Sequence, residues 1–369
     1  MTESAAPVQQ ASPEPREDDD ERPALQLTRR NVIALAGFLI LSLGALYLLL
    51  PQIAGLDDTW NRIGDGRPVW IIAAFLFTFG MFAGYVAMFR GVYMRAGGAR
   101  IGWRASYQIT MASLAASRLF AAGGAGGLVL TAWALRRSGM RKRTVADKTM
   151  AFLVLTYLPY AFAVIVCGFG LHWGLFNGPN PFTLTFVPAV IGCIALLIAI
   201  GIAFIPTDLQ RRFAPFAARH GRGARLAQKL AQAPAATSAG VRDALEHLRS
   251  RDPALLGSVL FWAAQIAVVW AAFHAFGQAP PVAVLIQGFF VGMLGNLLPM
   301  PGGVGGVEGG MIGAYVAFGV NSGLAVVAVL VYRAFTFWLP LLPGVIAYFR
   351  LRVTVDRWKT EQHAASAAA

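Results

Sequence analysis

Four stretches of this chain, Asn31 to Leu50, Val69 to Phe89, Leu184 to Ile205 and Leu255 to Phe276, contain no Asp, Glu, Lys or Arg. Each approaches or exceeds the about 20 residues that a helix needs to cross the hydrocarbon of a bilayer. A chain with several such runs must satisfy its own backbone in the absence of water, which selects helices and makes the expected fold class all-α and polytopic. Composition agrees, since 57% of the residues are apolar and only 13% are charged, where a soluble domain carries about 25% charge.

The first run starts about thirty residues in, behind an acidic tail without a small-residue cleavage site, and reads as a retained span rather than a signal peptide. Residues 1–28 have too few apolar side chains to offset their ordering entropy and are expected to form a disordered cytoplasmic tail. Cys167 and Cys193 both fall inside apolar segments, so neither a disulfide framework nor a metal site is expected, and no cofactor. The net charge of +13 is spread beside the apolar runs. That pattern favours anionic lipid headgroups as partners, with no nucleic acid.

Charge also orients the spans. Arg29 and Arg30 precede the first run, and Arg90, Arg95, Arg100 and Arg104 follow the second, so both flanks are expected in the cytoplasm. Residues 105–135 are apolar but broken by Gly123-Gly124-Ala125-Gly126-Gly127, and end at the basic cluster Arg136 to Arg143. With both flanks on one side, the simplest reading is a re-entrant hairpin turning at the glycines, whose broken backbone must be satisfied by protein or a wet cavity. Val145 to Leu171 then crosses outward and Leu184 to Ile205 returns. The linker 206–252 carries nine Lys or Arg and reads as a basic segment on the cytoplasmic membrane surface.

After the linker the order repeats. Leu255 to Phe276 crosses outward, and residues 281–319 form a second apolar segment broken at Pro299-Met300-Pro301-Gly302-Gly303-Val304-Gly305-Gly306. Leu324 to Phe349 then crosses inward to Arg350, Arg352, Arg357 and Lys359. The expected plan is about six spans and two oppositely oriented hairpins. Residues 29–205 form the first repeat, 253–352 the remainder of the second, and 353–369 a cytoplasmic tail. Thr156-Tyr-Leu-Pro159 and Thr336-Phe-Trp-Leu-Pro340 echo one another, as do the glycine turns at 123–127 and 302–306. Inverted repeats with discontinuous segments are a transporter pattern, seated here in the plasma membrane with both termini cytoplasmic.

Three charges fall where this plan places hydrocarbon: Arg118, Glu308 and Arg333. An arginine at the centre of a membrane helix costs roughly 2.5–3.5 kcal/mol, so such residues face a cavity or a partner. Two arginines against one glutamate leave one positive charge, which a lipid phosphate would neutralise. A half-helix beginning near Val304 would turn backbone N–H groups and its positive dipole end inward, with Gly302, Gly303 and Gly305 allowing close approach and Pro299 and Pro301 stiffening the turn. The structural alternative is that Glu308 caps that helix and Arg333 neutralises it. Pro159, Pro340 and Pro343 are expected to kink spans. No P-loop, zinc pattern, nucleophile elbow or catalytic carboxylate pair is present, so no enzyme is expected.

The stretch Pro299 to Glu308, with Gly319-Val320, Tyr332-Arg333 and Trp133-Ala-Leu-Arg-Arg-Ser-Gly139, resembles the transmembrane region of lysylphosphatidylglycerol synthases and their stand-alone flippase-like relatives. The resemblance extends from Asn31 to Arg352. It implies binding or translocation of a lipid, whether a phospholipid or a polyisoprenoid or hopanoid lipid. The chain is too short to hold the synthases' soluble transferase domain as well, which argues against aminoacyl transfer. The first glycine turn differs from the family's pattern in having no carboxylate, which leaves Arg118 as its charged residue. The reading is a lipid flippase or transporter holding an anionic or aminoacylated headgroup among Arg118, Gly302, Gly303, Gly305, Glu308 and Arg333, with a homodimer left open. The alternative is a membrane-embedded transferase or a scaffold for lipid-linked envelope synthesis.

Overall fold

The computed structural model describes residues 66–94, 101–119, 125–203, 240–246, 252–298 and 303–368. The expected first span at 31–50, most of the basic linker, and the turn residues Gly123, Gly124, Pro299, Pro301 and Gly302 lie outside the described residues. The described elements are helical throughout: α1 (Pro68–Met94), α2 (Trp103–Leu119), α3 (Ala125–Arg137), α4 (Lys142–His172), α5 (Phe182–Ala203), α6 (Pro253–Phe276), α7 (Val282–Met293), α8 (Gly306–Ala317), α9 (Ser322–Arg333) and α10 (Leu341–Ala368). A 3₁₀ turn, Leu294–Leu297, ends α7, and a π-helical turn, Ala334–Trp338, joins α9 to α10. The stretch read as a C-terminal tail thus continues the last helix.

Among the described residues, α1, α4, α5, α6 and the α9–α10 rod are long and apolar enough to cross a membrane. The remaining helices are shorter and come in two packed pairs. The longest, α2, has 17 residues and reaches about 25 Å, while α7 and α8 have 12 each and reach about 18 Å, against the roughly 30 Å of hydrocarbon. Large apolar side chains such as Ile191, Ile194, Leu197 and Ile198 of α5 point outward, a pattern suited to lipid and unfavourable in water.

Close backbone approach sets the packing. A Cβ on Gly84 of α1 would lie 2.7 Å from the carbonyl oxygen of Gly257 in α6, and one on Gly257 would lie 2.5 Å from the Met88 amide. Without side chains at these points the two antiparallel helices meet along their length, the arrangement that small residues permit in membranes. The N–H of Arg67 donates to Ala275 at their far end, at 2.9 Å. Each short pair also leans on a long helix of the other half. In the first half, α2 meets α10, where a Cβ on Gly344 would lie 2.9 Å from the Met111 carbonyl. In the second half, α7 meets α4, and the Tyr160 hydroxyl donates to Phe290 O at 2.6 Å. The two halves are therefore interlocked.

The prolines explain two further links. Pro159 lies inside α4 and Pro188 inside α5, and each lacks the N–H that would bond the carbonyl four residues earlier. Those carbonyls belong to Leu155 and Leu184. The Ser258 hydroxyl of α6 donates to Leu155 O at 2.6 Å, and the Gln287 amide of α7 donates to Leu184 O at 2.8 Å. Trp262 Nε1 adds a bond to Thr156 O at 2.6 Å. At Pro340 the missing donor coincides with the π turn, closed by Leu339 N to Ala334 O at 2.9 Å. Prolines in membrane helices persist where neighbours re-satisfy the freed backbone in this way.

Candidate functional site

The second pair is joined at its glycine turn. Gly303 and Gly305 adopt positive φ, 66° and 85°, which only glycine takes without strain, and they let the chain reverse into α8. The arms then touch backbone to backbone. A Cβ on Gly292 of α7 would lie 2.7 Å from Met311 N, and one on Gly310 would lie 2.5 Å from Gly292 O. In the first pair Gly126 and Gly127 open α3 and are buried, and a Cβ on Gly127 would strike the Ser113 carbonyl and the Ser117 hydroxyl. Ser113 Oγ and Thr131 Oγ1 share a hydrogen bond of 2.7 Å across that pair. Gly127 therefore serves helix packing.

Glu308 sits in the first turn of α8 and is buried. Its Oε2 accepts the N–H of Gly305 at 2.7 Å, while Oε1 accepts from Nε of Arg333 at 2.6 Å. The side chains are 1% and 7% exposed respectively. The capping reading of Glu308 and its pairing with Arg333 are thus both realised, and the Gly305 N–H is occupied rather than bare. In low dielectric, losing either partner leaves the other as an uncompensated charge.

Arg118 ends α2 and comes to the same place from the other half. Its guanidinium carbon lies 5.9 Å from the centre of the Phe337 ring, and that of Arg333 lies 4.3 Å from the same ring. Phe337 packs with Ala115 and Leu341, and Val304 of the glycine turn rests on that cluster. The two pairs and the π turn therefore converge on one aromatic ring. Arg118 is partly covered as a residue, but its Nη1 is fully enclosed and has no hydrogen-bond partner among the described residues. Next to Arg333, the Tyr332 hydroxyl donates to Oε1 of Gln265 at 2.9 Å, and the Gln265 amide nitrogen is likewise enclosed and unbonded.

Of the expected site residues, Arg118, Glu308, Arg333, Gly303 and Gly305 are gathered within these two pairs and the span beside them. Phe337 was not singled out from sequence, although it stands four residues after Arg333 and hence on the same face of a helix. Lys148, in the second turn of α4, reaches Asp243 at 2.9 Å to each carboxylate oxygen. That bond holds the helical stretch at 240–246 to α4. His274 stacks on Trp70 with ring centres 4.7 Å apart and stands edge-on to Trp270 at 4.6 Å, which makes the three rings one aromatic cluster. Among the described residues no group of three or more His, Cys, Asp or Glu is placed to hold a metal.

Comparison with known proteins finds three curated relatives described as UPF0104 membrane proteins, all from Methanothermobacter thermautotrophicus. One is 35% identical over 91 residues, a span of 24% of this chain and 27% of the relative. The others are 34% identical over 91 residues and 36% identical over 90, covering 26% and 27% of their own lengths and 24% of this chain. The matched stretch thus spans about a quarter of the relatives' length. The sequence pattern of the lysylphosphatidylglycerol synthase TM region, by contrast, matches residues 33–344. With most of its length so matched and its described residues folded into apolar helices, the chain belongs to the lysylphosphatidylglycerol synthase TM region family of membrane proteins.

Proposed function

We propose that this protein moves a lipid with an anionic headgroup between the leaflets of the membrane, and that the two short helix pairs are re-entrant hairpins opening on opposite faces. The observation that carries the reading is Arg118. A guanidinium nitrogen enclosed in a membrane protein without a hydrogen-bond partner is costly, and a ligand phosphate would relieve that cost. The adjacent Glu308–Arg333 pair is self-neutralised, so the cluster of three charges carries one net positive charge for a headgroup to meet. Interlocked halves with discontinuous helices supply a mechanism, in which rocking of one half against the other turns the cluster from one leaflet to the other.

The test is transfer of fluorescent phosphatidylglycerol across proteoliposomes, comparing the wild type with Arg118→Gln and Arg333→Ala at matched incorporation. Transfer by the wild type that falls at least about tenfold in Arg118→Gln supports the reading. Equal rates in protein-free and protein-containing vesicles would overturn it, and would favour a scaffold or an embedded transferase.

A further inference from the structure

The geometry points to a cargo of definite charge: a phosphodiester lipid bearing a single negative charge, in preference to a phosphomonoester or an aminoacylated lipid. This inference rests on the proposed headgroup site and deepens it. The argument is one of charge balance in a place with little water. Arg118 and Arg333 contribute two positive charges and Glu308 one negative, and Arg333 is held at 2.6 Å by that carboxylate. These three charges therefore sum to +1, and the group that carries the surplus is the one whose Nη1 is enclosed and, among the described residues, unbonded.

The other carboxylates of the described residues are seated elsewhere in the fold, Glu246 in the helical stretch at 240–246 that Lys148 holds to α4. Asp147 and Asp243 flank Lys148, with Asp243 bonded to it. Asp252 caps α6 by accepting the Ala254 N–H at 2.9 Å. Asp356 and Glu361 stand along the far end of α10, more than five helical turns beyond Arg333. Among the described residues an amine on the headgroup would therefore meet two arginines and a carboxylate already committed to Arg333.

Three ligand classes can be compared on that basis. A phosphodiester such as phosphatidylglycerol brings one negative charge and makes the occupied site neutral. A phosphomonoester carries about −1.5 to −2 near neutral pH and leaves the site negative. A lysylated phosphatidylglycerol brings one phosphate and two amines and leaves about two positive charges. Uncompensated charge in a low-dielectric site is penalised far more than in water. Glu308 thus acts as a specificity-determining residue without touching the cargo, because it cancels Arg333 and fixes how much charge remains.

The experiment measures retention of lipid by the purified full-length protein in detergent, using native mass spectrometry. Phosphatidylglycerol, phosphatidic acid, lysylphosphatidylglycerol and phosphatidylcholine with identical acyl chains are offered in competition. Wild type is expected to retain phosphatidylglycerol over each of the others by about tenfold or more. Glu308→Gln, which raises the site to +2, is expected to invert the order of phosphatidylglycerol and phosphatidic acid. Arg118→Gln, which lowers it to zero, is expected to abolish the preference over phosphatidylcholine and tests the inference even where Glu308→Gln fails to fold. Equal retention of phosphatidic acid or the lysylated lipid by wild type overturns it, as does an unchanged order in both variants. Selective retention without transfer in vesicles would leave the charge rule standing and remove the transport reading. Transfer without headgroup preference would do the reverse.

Discussion

The Nε of Arg333 lies 2.6 Å from Oε1 of Glu308, while the other oxygen of the same carboxylate holds the Gly305 N–H at 2.7 Å. One side chain thus secures the last long helix to the glycine turn of the second pair. Replacing Glu308 by Leu leaves a buried guanidinium and a freed amide, and is expected to lower stability by about 3–5 kcal/mol, read as thermal unfolding in detergent. The double variant Glu308→Leu with Arg333→Met should recover most of that loss. Purely additive effects would contradict the coupling.

Glycines of the second pair divide into those in contact and those facing open space. Gly292→Ala places a methyl 2.7 Å from Met311 N and should destabilise by about 1–3 kcal/mol through forced separation of the arms. Gly313→Ala meets nothing within 4 Å and should be neutral or stabilising by up to about 1 kcal/mol, from helix propensity alone. Comparable losses in the two variants would argue against tight packing of α7 on α8.

Phe337 is the ring on which both guanidiniums converge. Phe337→Leu keeps apolar volume but removes the π face, and should cost about 1–2 kcal/mol of stability, measured against the same change in the Arg118→Gln background. The background should absorb part of the effect.

Lys148 and Asp243 hold the helical stretch at 240–246 against α4. Their side chains are 10% and 24% exposed, so the gain is discounted for solvent, and Lys148→Met is expected to cost about 1 kcal/mol. Its clearer signature is faster amide exchange at 240–246 with unchanged exchange in α6.

The long helices were legible because hydrocarbon imposes a length and a composition on anything that crosses it, and the charged flanks mark where each crossing ends. The run read as Val145 to Leu171 became α4, Lys142–His172, lengthened mainly by a basic turn that sequence assigns to the surface. Arg118, Glu308 and Arg333 were legible for a related reason, since a charge in an apolar run is costly and rarely accidental. What sequence withheld is what depends on distant partners. Lys148 meets Asp243 across 95 residues and Ser258 meets Leu155 O across 103, separations at which no local periodicity carries information. Pro159 and Pro188 advertise a missing donor but not the residue that supplies it.

Those two prolines bear on how the protein is made. The first half leaves the ribosome before Ser258 and Gln287 exist, so the Leu155 and Leu184 carbonyls must wait, bare or borrowing a water, until the second half inserts beside them. The fold is thus completed in translation order, with the later half repairing the earlier. Two separately expressed halves would each be poorly finished, and the first would persist only when its complement is made in the same membrane.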